Sequence, residues 1–261
     1  MDLKDSVAVV TGASSGIGKA TAWQLASRGA NLVLAARRED RLKKLAENIA
    51  AQGGRALPVA VDVTSLEDLE RLRDETLRTY EHVDVLVNNA GIPGPGPLAQ
   101  ASIENIDRCI EVNFVSVVHA TKVFLPAFLD RKRGHLVNVA SLAGRYATPS
   151  VSVYSATKHA VVAFSESLNV SLSKEGILVT AVNPGFVATE GFPNSQVPEP
   201  LLLKPEKIAR AIATVIERGI APEYSVPRWA AVGQAFRVLT PPLYRWGMSE
   251  AARRFGDTSA D

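Results

Sequence analysis

Short apolar runs rich in β-branched residues alternate with helical patterns along most of this chain. The strand-like runs lie at 7–11, 31–35, 56–61, 83–88, 135–140 and 178–183, and the helical patterns lie at 16–28, 39–52, 66–80, 103–128, 152–173 and 205–217. The strands carry apolar residues at consecutive positions, which is typical of strands that helices bury on both faces of a parallel sheet. The pattern therefore predicts an α/β fold with three layers around a central parallel β-sheet.

Nothing along the sequence divides this pattern into separate units. No Pro/Ser-rich linker, low-complexity tract or repeat is present, and Gly94-Pro95-Gly96-Pro97 is long enough only to mark a loop. The chain has 261 residues, of which 46% are hydrophobic and 21% charged, so it can bury a sizeable core. We predict a single doubly wound, Rossmann-like domain over 1–261.

Charge and the counts of metal-ligating residues exclude several function classes. The formal net charge is only +2, so no nucleic-acid partner is expected. Cys109 is the one cysteine and there are four scattered histidines, so neither an intrachain disulfide nor a metal site is predicted. The start of the chain runs directly into an apolar strand, and no window reaches the ~20 uninterrupted apolar residues of a spanning helix. The expectation is a soluble, cytoplasmic protein.

A glycine-rich turn, Thr11-Gly12-Ala13-Ser14-Ser15-Gly16-Ile17-Gly18, joins the first predicted strand to the first predicted helix. Its glycines stand four and then two apart, which differs from the G-x-G-x-x-G spacing of the commonest dinucleotide fingerprint. The physical basis is the same, because glycine allows a tight turn and the helix N-terminus offers unpaired N–H groups to a pyrophosphate. The turn predicts a dinucleotide site, with a purely structural turn as the alternative.

Tyr154 and Lys158 stand four residues apart in a predicted helix and so share one face. An ammonium beside a phenol stabilises the phenolate, which predicts a lowered pKa for Tyr154 and proton exchange with a substrate oxygen. Taken alone the pair is weak, because a tyrosine beside a solvated lysine is common.

Together these motifs resemble the short-chain dehydrogenase/reductase family, whose members carry T-G-x-x-x-G-x-G at the glycine turn. Further matches follow in family order and cover about residues 5–220. They are Asn88-Asn89-Ala90-Gly91 after the fourth strand, Asn113 within a helix, Ser141 thirteen residues before Tyr154, and Pro184-Gly185 with Thr189 after the sixth strand. The resemblance implies an oxidoreductase that transfers a hydride between a nicotinamide cofactor and a carbonyl or secondary alcohol.

The resemblance also implies roles for individual residues. Ser141 would hold the substrate oxygen, Tyr154 would be the general acid/base, Lys158 would lower its pKa and bind the nicotinamide ribose, and Asn113 would position a water. No metal is implied. Cofactor binding is implied for Gly12, Ser14, Ser15, Gly16, Ile17, Gly18, Arg37, Arg38, Asp62, Val63, Asn89, Ala90, Gly91, Tyr154, Lys158, Pro184, Gly185, Val187 and Thr189. His159 points about 100° away from Lys158 around the helix, so we interpret it as structural.

The end of the second predicted strand indicates which cofactor is preferred. An acidic residue there would hydrogen-bond the ribose 2′-hydroxyl of NAD and repel the 2′-phosphate of NADP. This chain has Ala36 at that position, followed by Arg37 and Arg38, which favours NADP(H) because arginine pairs well with phosphate. Ser15 stands where part of the family has a second basic residue, which weakens the case slightly.

Two other functions remain open on the same motifs. One is a dinucleotide-binding sensor without turnover, although a sensor has no chemical need for a proton donor such as Tyr154. The other is an isomerase or epimerase with a tightly held cofactor.

Residues 186–204 correspond to the family's variable substrate loop. Their Gly and Pro content, with Phe186, Phe192 and the run Leu201-Leu202-Leu203, predicts a lid over a largely apolar substrate. By position, the opposite side of the pocket is expected at Leu142, Ala143, Gly144 and Tyr146.

The C-terminal segment 228–261 departs from the family pattern. Trp229, Val232, Phe236 and Leu239 recur at helical spacing, and a last helix is predicted to carry Leu243, Trp246 and Met248. This apolar stripe is expected to pack on the pocket mouth, form a dimer interface or contact a membrane. The membrane option rests on the basic residues Arg228, Arg237, Arg245, Arg253 and Arg254. The resemblance itself implies a homo-oligomer, a dimer or tetramer.

Overall fold

The computed structural model describes residues 1–190 and 199–247. Its centre is a parallel sheet of seven strands in the order β3-β2-β1-β4-β5-β6-β7. The strands are Val7–Thr11 (β1), Asn31–Ala36 (β2), Arg55–Ala60 (β3), Val85–Asn88 (β4), Gly134–Val139 (β5), Ile177–Pro184 (β6) and Glu223–Val226 (β7). The predicted α/β fold with a central parallel sheet is confirmed.

Helices cover both faces of the sheet and leave the carboxyl ends of the strands open. The helices are Gly16–Ala26 (α1), Glu39–Ala50 (α2), Leu66–Tyr80 (α3), Ile103–Ile110 (α4), Ser116–Arg131 (α5), Ser152–Leu172 (α6), Pro205–Arg218 (α7) and Ala230–Leu239 (α8). α1, α2 and α7 pack in one apolar core, and α3 and α5 pack in another on the opposite face, next to α6. The strand order reverses between β1 and β4, where open α/β sheets bind their ligands.

The alternation of side chains along β1 explains how one strand serves both cores. Ala8 and Val10 pack with α1 and α2, whereas Val9 packs with α3 and α5. All five residues of β1 are buried. Such a strand needs apolar residues at consecutive positions, which is the pattern that predicted it.

The long helix predicted over 103–128 differs most from its prediction. It runs on to Arg131 and is divided by a π-helical turn, Glu111–Val115, that joins α4 to α5. By length and mean hydropathy the run Ile103–Arg131 could cross a membrane, although it lacks an uninterrupted apolar stretch. In the fold it is a core helix, since Phe124 and Phe128 are fully buried against the sheet.

The chain continues past β7 into two helical stretches. α8 is followed by a helical stretch over 241–247. Of the predicted apolar stripe, Trp229, Val232 and Leu239 are 70%, 73% and 77% exposed. The fold therefore leaves these three side chains uncovered. Phe192, Met248, Arg253, Arg254 and the side chain of Phe236 lie outside the described residues.

Candidate active site

The glycine turn between β1 and α1 is tied to the end of β4. Thr11 Oγ1 accepts hydrogen bonds from the backbone N–H groups of Asn89 and Ala90, at 3.0 and 3.1 Å, and the Asn89 amide donates to the Thr11 carbonyl at 2.9 Å. A Cβ on Gly12 or on Gly18 would lie 2.8 or 2.5 Å from the Asn89 amide nitrogen. Glycine is required at both positions because the turn approaches the neighbouring strand end so closely.

The N-terminus of α1 is open to an anion. Its N-cap, Ser15, makes no side-chain capping bond, and the first turn, which contains Gly16, Ile17 and Gly18, holds no acidic residue. The leading N–H groups of a helix have no partner within the helix, and they carry partial positive charge. This end of α1 therefore fits a pyrophosphate.

Ser141, Tyr154 and Lys158 converge at the carboxyl end of β5. Ser141 follows β5, its hydroxyl accepts from the Ala143 N–H at 3.1 Å, and it lies near enough to Tyr154 to act on the pKa of the phenol. The buried Lys158 ammonium donates to the Val139 carbonyl at 3.0 Å and lies 5.7 Å from the centre of the Tyr154 ring. A hydroxyl, a phenol and an ammonium thus share one corner of the sheet edge.

The pKa of Tyr154 moves in the direction opposite to the sequence-based expectation. Burial raises it, because desolvation disfavours the phenolate, and the hydrogen bond with Ser141 offsets part of that rise. Burial also lowers the pKa of Lys158 to about 8. The lowered Tyr154 pKa expected from the sequence is therefore not found in the free protein, where desolvation of the phenol has the largest effect.

Asn113 lies in the π-helical turn and is fully buried. Its side-chain oxygen accepts from the Ile92 N–H and its nitrogen donates to the Ile92 carbonyl, both at 2.9 Å. The same nitrogen lies 3.3 Å from Cys109 Sγ. The amide is thus engaged on both sides, and it fixes the segment that follows β4.

Gly91 lies between the two halves of the site. A Cβ there would lie 2.9 Å from Asn113 Oδ1 and 3.7 Å from Lys158 Nζ. The structure therefore brings together the Asn89-Ala90-Gly91 segment, Asn113 and Lys158, which are far apart in the sequence.

The basic residues after β2 differ in their surroundings. Arg37 is exposed. The Arg38 guanidinium reaches across to the glycine turn and donates to Ser14 Oγ at 3.0 Å and to Ser15 Oγ at 2.8 Å. Arg38 therefore lies at the rim of the glycine turn.

The remaining predicted cofactor residues line the edge on either side. Asp62 Oδ1 accepts from the Thr64 backbone and hydroxyl, and its neighbour Val63 is buried. Pro184 ends β6, Gly185 donates to the Val226 carbonyl at 2.8 Å, and Val187 pairs with Leu203 in an isolated bridge. Thr189 reaches the glycine turn, since a Cβ on Gly16 would lie 3.1 Å from its methyl group.

Comparison with known proteins identifies the family of this chain. The family model described as short chain dehydrogenase matches residues 6–199. The chain belongs to the short-chain dehydrogenase/reductase family. An uncharacterized oxidoreductase of Staphylococcus aureus is 36% identical over 210 residues, covering 80% of this chain and 90% of the relative. One of Listeria monocytogenes is 40% identical over 192 residues, covering 73% and 77%.

Solved structures of the family share the fold. A variant of actinorhodin polyketide ketoreductase with NADPH has a TM-score of 0.80 and 33% identity, covering 87% of this chain and 97% of its own. A short-chain dehydrogenase/reductase from Burkholderia phymatum in complex with NAD has a TM-score of 0.84 and 29% identity, covering 93% and 96%. The resemblance inferred from the motifs is confirmed.

Several residues at the site of this short-chain dehydrogenase/reductase escaped the sequence analysis. Glu190, next to Thr189, forms ion pairs with Arg38 and Arg41. Gly94 packs on Tyr154, since a Cβ there would lie 2.8 Å from the tyrosine Cβ. A proline- and glycine-rich loop gives no indication of this contact, because it depends on where the loop folds back.

The C-terminal helices pack against the segment that follows β5 and against α6. Tyr146 donates to the Ala230 carbonyl, and Arg237 donates to the Arg145 carbonyl. Arg237 also lies 3.0 Å from His159 Nε2, while His159 Nδ1 lies 2.8 Å from the Ser155 carbonyl. Nδ1 therefore carries the proton and Nε2 accepts, which is the structural role predicted for His159.

Within residues 1–190 and 199–247, no group of three or more His, Cys, Asp or Glu side chains could hold a metal ion.

Proposed function

We propose that this protein is an NADP(H)-preferring oxidoreductase that interconverts a carbonyl compound and a secondary alcohol, and that its 261 residues form one functional unit. The observation that carries the proposal is the convergence of Ser141, Tyr154 and Lys158 beside an open helix N-terminus. A proton donor, an oxygen-binding hydroxyl and an anion site together meet the needs of carbonyl reduction.

In the reductive direction Tyr154 donates its phenolic proton to the substrate oxygen. The raised pKa of Tyr154 keeps the phenol protonated at neutral pH, which suits a donor. The Ser141 hydroxyl, close to Tyr154, holds the same oxygen within reach. Oxidation requires the phenolate as base, and burial disfavours that form.

The chain's own residues fit a nicotinamide dinucleotide, which when bound supplies or accepts the hydride. The N–H groups at Gly16, Ile17 and Gly18 bind the pyrophosphate, and the Lys158 ammonium binds the nicotinamide ribose hydroxyls. Asp62 and Val63 flank the adenine; Asn89, Ala90 and Gly91, with Pro184, Gly185, Val187 and Thr189, complete the cleft. The uncapped α1 terminus supports this assignment.

NADP(H) preference rests on the basic residues after β2. Solved relatives include complexes with NADPH and with NAD, so the choice depends on this chain's own side chains. Arg38 lies at the rim of the glycine turn beside Ser14 and Ser15, where a 2′-phosphate would meet a guanidinium. Arg37, exposed next to it, adds positive charge.

For Asn113 we propose a positioning role. Its amide bonds both backbone groups of Ile92, and the amide nitrogen also lies 3.3 Å from Cys109 Sγ, so the side chain is held on the segment that follows β4. It holds the segment containing Gly91 against Lys158.

The substrate is proposed to be a small, largely apolar carbonyl compound. Leu142 faces the start of the variable loop, since a Cβ on Gly185 would lie 3.5 Å from Leu142 Cδ1. Of the wall predicted with it, Gly144 is buried against α6, and Tyr146 contacts Ala230 instead of facing a ligand.

The homo-oligomer and the cytoplasmic location implied by the sequence belong to the same proposal. An apolar groove of about 320 Å³ runs between α4 and α6, lined by Ile106, Ile110, Phe114, Val153, Ala156, Thr157 and Ala160. Such a groove supports pairing with a second copy. The molar mass in solution, measured by light scattering, tests it.

Peripheral membrane contact is proposed for the exposed C-terminal apolar group, Trp229, Val232, Leu239, Leu243 and Trp246. No acidic residue lies between Glu223 and Glu250, whereas three arginines do. Pairing of two such faces would oppose arginine to arginine, but an anionic bilayer complements both the charge and the tryptophans.

The first experiment is loss of NADPH absorbance across a panel of aldehydes, ketones and 3-oxo compounds, with NADH in parallel. We expect turnover with NADPH that Tyr154→Phe lowers by about 10²- to 10⁴-fold while NADPH binding persists. Tyr80→Phe is the matched control, because its hydroxyl bonds the Leu32 carbonyl at the opposite end of the sheet.

Three outcomes would contradict the proposal. Tight NADPH binding without turnover of any compound would favour a sensor. Cofactor that copurifies, with substrate conversion but no net change in NADPH absorbance, would favour an isomerase or epimerase. Faster turnover with NADH would contradict the assignment of Arg37 and Arg38.

A further inference from the structure

Glu190 lies against the basic residues that the proposed function assigns to the cofactor. Its carboxylate accepts from Arg38 at 3.0 Å and from Arg41 at 2.8 and 3.0 Å. The three residues come from different parts of the fold, the end of β2, the first turn of α2 and the segment after β6. The ion pairs thus bridge the mouth of the glycine turn.

The geometry divides the Arg38 guanidinium between two sets of partners. Nε and one terminal nitrogen face Ser14 and Ser15 on the turn, and the other terminal nitrogen faces Glu190. Paired arginines hold the Glu190 pKa down to about 2, so the carboxylate is an anion throughout the physiological pH range. The Glu190 carboxylate therefore already accepts from the guanidinium groups that a phosphate would bind.

We propose that Glu190 is a specificity-determining residue that competes with the 2′-phosphate of NADP(H) for Arg38 and Arg41. This inference rests on the proposed function, because it presupposes that Arg38 faces the adenosine ribose. Carboxylate and phosphate use the same fork of guanidinium donors, so the bound phosphate must displace Glu190 or accept its repulsion. NAD(H), which has a hydroxyl there, meets no such competition. Glu190 therefore reduces the preference for NADP(H) over NAD(H) that Arg38 creates.

The test compares Glu190→Gln with the wild-type protein. Glutamine keeps the size of the side chain and removes its charge. Dissociation constants are measured by fluorescence for NADPH and NADH, and by competition for 2′,5′-ADP and 5′-AMP, which isolate the effect of the 2′-phosphate. Glu47→Gln is the matched control, because Glu47 is exposed on α2 and the substitution changes the net charge equally.

We expect Glu190→Gln to bind NADPH and 2′,5′-ADP about three- to tenfold more tightly, with NADH and 5′-AMP unchanged within twofold. The range corresponds to one or two exposed ion pairs. The gain should shrink in high salt and disappear when Arg38→Gln is combined with Glu190→Gln. Thermal unfolding checks that the variants are folded.

Each other outcome identifies what is wrong. Unchanged binding of 2′,5′-ADP by Glu190→Gln would overturn the inference, and weaker binding would overturn it in favour of a role for Glu190 in orienting Arg38. An equal gain for NADH and NADPH would also overturn it, since the effect would then not concern the 2′-phosphate. A wild-type protein that binds neither dinucleotide would refute the proposed function itself, whatever the variant does.

Discussion

At the scale of single residues, burial has the largest effect on the two titrating groups of the site. Lys158 is buried and donates to the Val139 carbonyl, and its pKa falls to about 8 because desolvation disfavours the ammonium. Tyr154 loses water too, and its pKa rises. Both shifts favour neutral side chains in the free protein. An anionic ligand would favour the charged Lys158 ammonium and so raise the Lys158 pKa.

Cofactor affinity is therefore expected to depend on pH through Lys158. The ammonium is charged below about pH 8 and neutral above it. An anionic dinucleotide favours the charged form, so binding is tight at pH 7 and weakens as the pH rises through 8. We expect the NADPH dissociation constant to increase about tenfold between pH 7 and 9.5, as a pKa raised by about one unit in the complex requires.

Fluorescence titration of NADPH at several pH values checks this dependence. Lys158→Met should bind more weakly and with little pH dependence. Lys122→Met, which removes an exposed lysine on α5, should behave as the wild type. A dissociation constant that stays constant over this range in the wild type, or that changes alike in Lys158→Met, would show that another group is responsible.

Sequence alone predicted that Ser141, Tyr154 and Lys158 lie together, because they follow a local spacing. The three residues lie within 18 positions of the chain, and the spacing between them predicts that their side chains are neighbours. It could not find the partners of Asn113 and Arg38. Those contacts join residues 21 and 152 positions apart, and only the folded chain shows that an amide faces Ile92 or that a carboxylate faces a guanidinium.

At the scale of elements, a short 3₁₀ turn couples Ser141 to α6. The turn Leu142–Gly144 directly follows Ser141, and Ser155 Oγ donates to the Ala143 carbonyl at 2.6 Å. Gly144 packs so closely on α6 that a Cβ would lie 2.5 Å from the Lys158 carbonyl. The turn and the helix thus form one support for Tyr154 and Ser141.

Gly144→Ala is expected to separate these two elements. The added methyl cannot fit against the backbone of Lys158, so the turn must move and carry Ser141 with it. We expect a loss of about 1–3 kcal/mol in the free energy of unfolding and at least a tenfold lower kcat. Urea unfolding and the NADPH assay measure the two effects.

Gly247→Ala is the control, since nothing lies within 4 Å of a Cβ there. It should change neither stability nor kcat. If Gly144→Ala also left kcat unchanged while it lowered stability, the turn would be structural and would not position Ser141.

The elements themselves were largely predictable, because apolar periodicity determines which faces are buried. The π-helical turn was not. A π turn differs from α-helix by one residue in its hydrogen-bond register, and the residues Glu111–Val115 carry no pattern that distinguishes the two. α5 also continues past Pro126 to Arg131, beyond the predicted end at 128, because its apolar face is packed on the sheet.

At the scale of the whole molecule, the C-terminal helices have an inner and an outer side. Inward, Ala230 is buried and Arg237 bonds the segment after β5. Outward lies the C-terminal apolar group, with Arg228 over the Tyr224 ring at its edge. The sequence could predict the apolar stripe but not its exposure, because helical spacing defines a face and does not say what covers it.

If that outer face contacts a membrane, the full-length protein should sediment with anionic vesicles. We expect binding to vesicles that contain phosphatidylglycerol, weaker binding to pure phosphatidylcholine, and a loss of binding as salt increases, because the exposed Arg228 and Arg245 contribute about 1 kcal/mol each near an anionic surface. Trp229→Ser with Trp246→Ser should abolish sedimentation while leaving turnover intact, since the two side chains are 70% and 65% exposed. Leu98→Ser, which removes an exposed apolar side chain elsewhere, should sediment as the wild type.

A different result would show that a second copy of the chain covers this face instead. In that case the protein would bind neither kind of vesicle, and its concentration-dependent association would be lost in the double tryptophan variant.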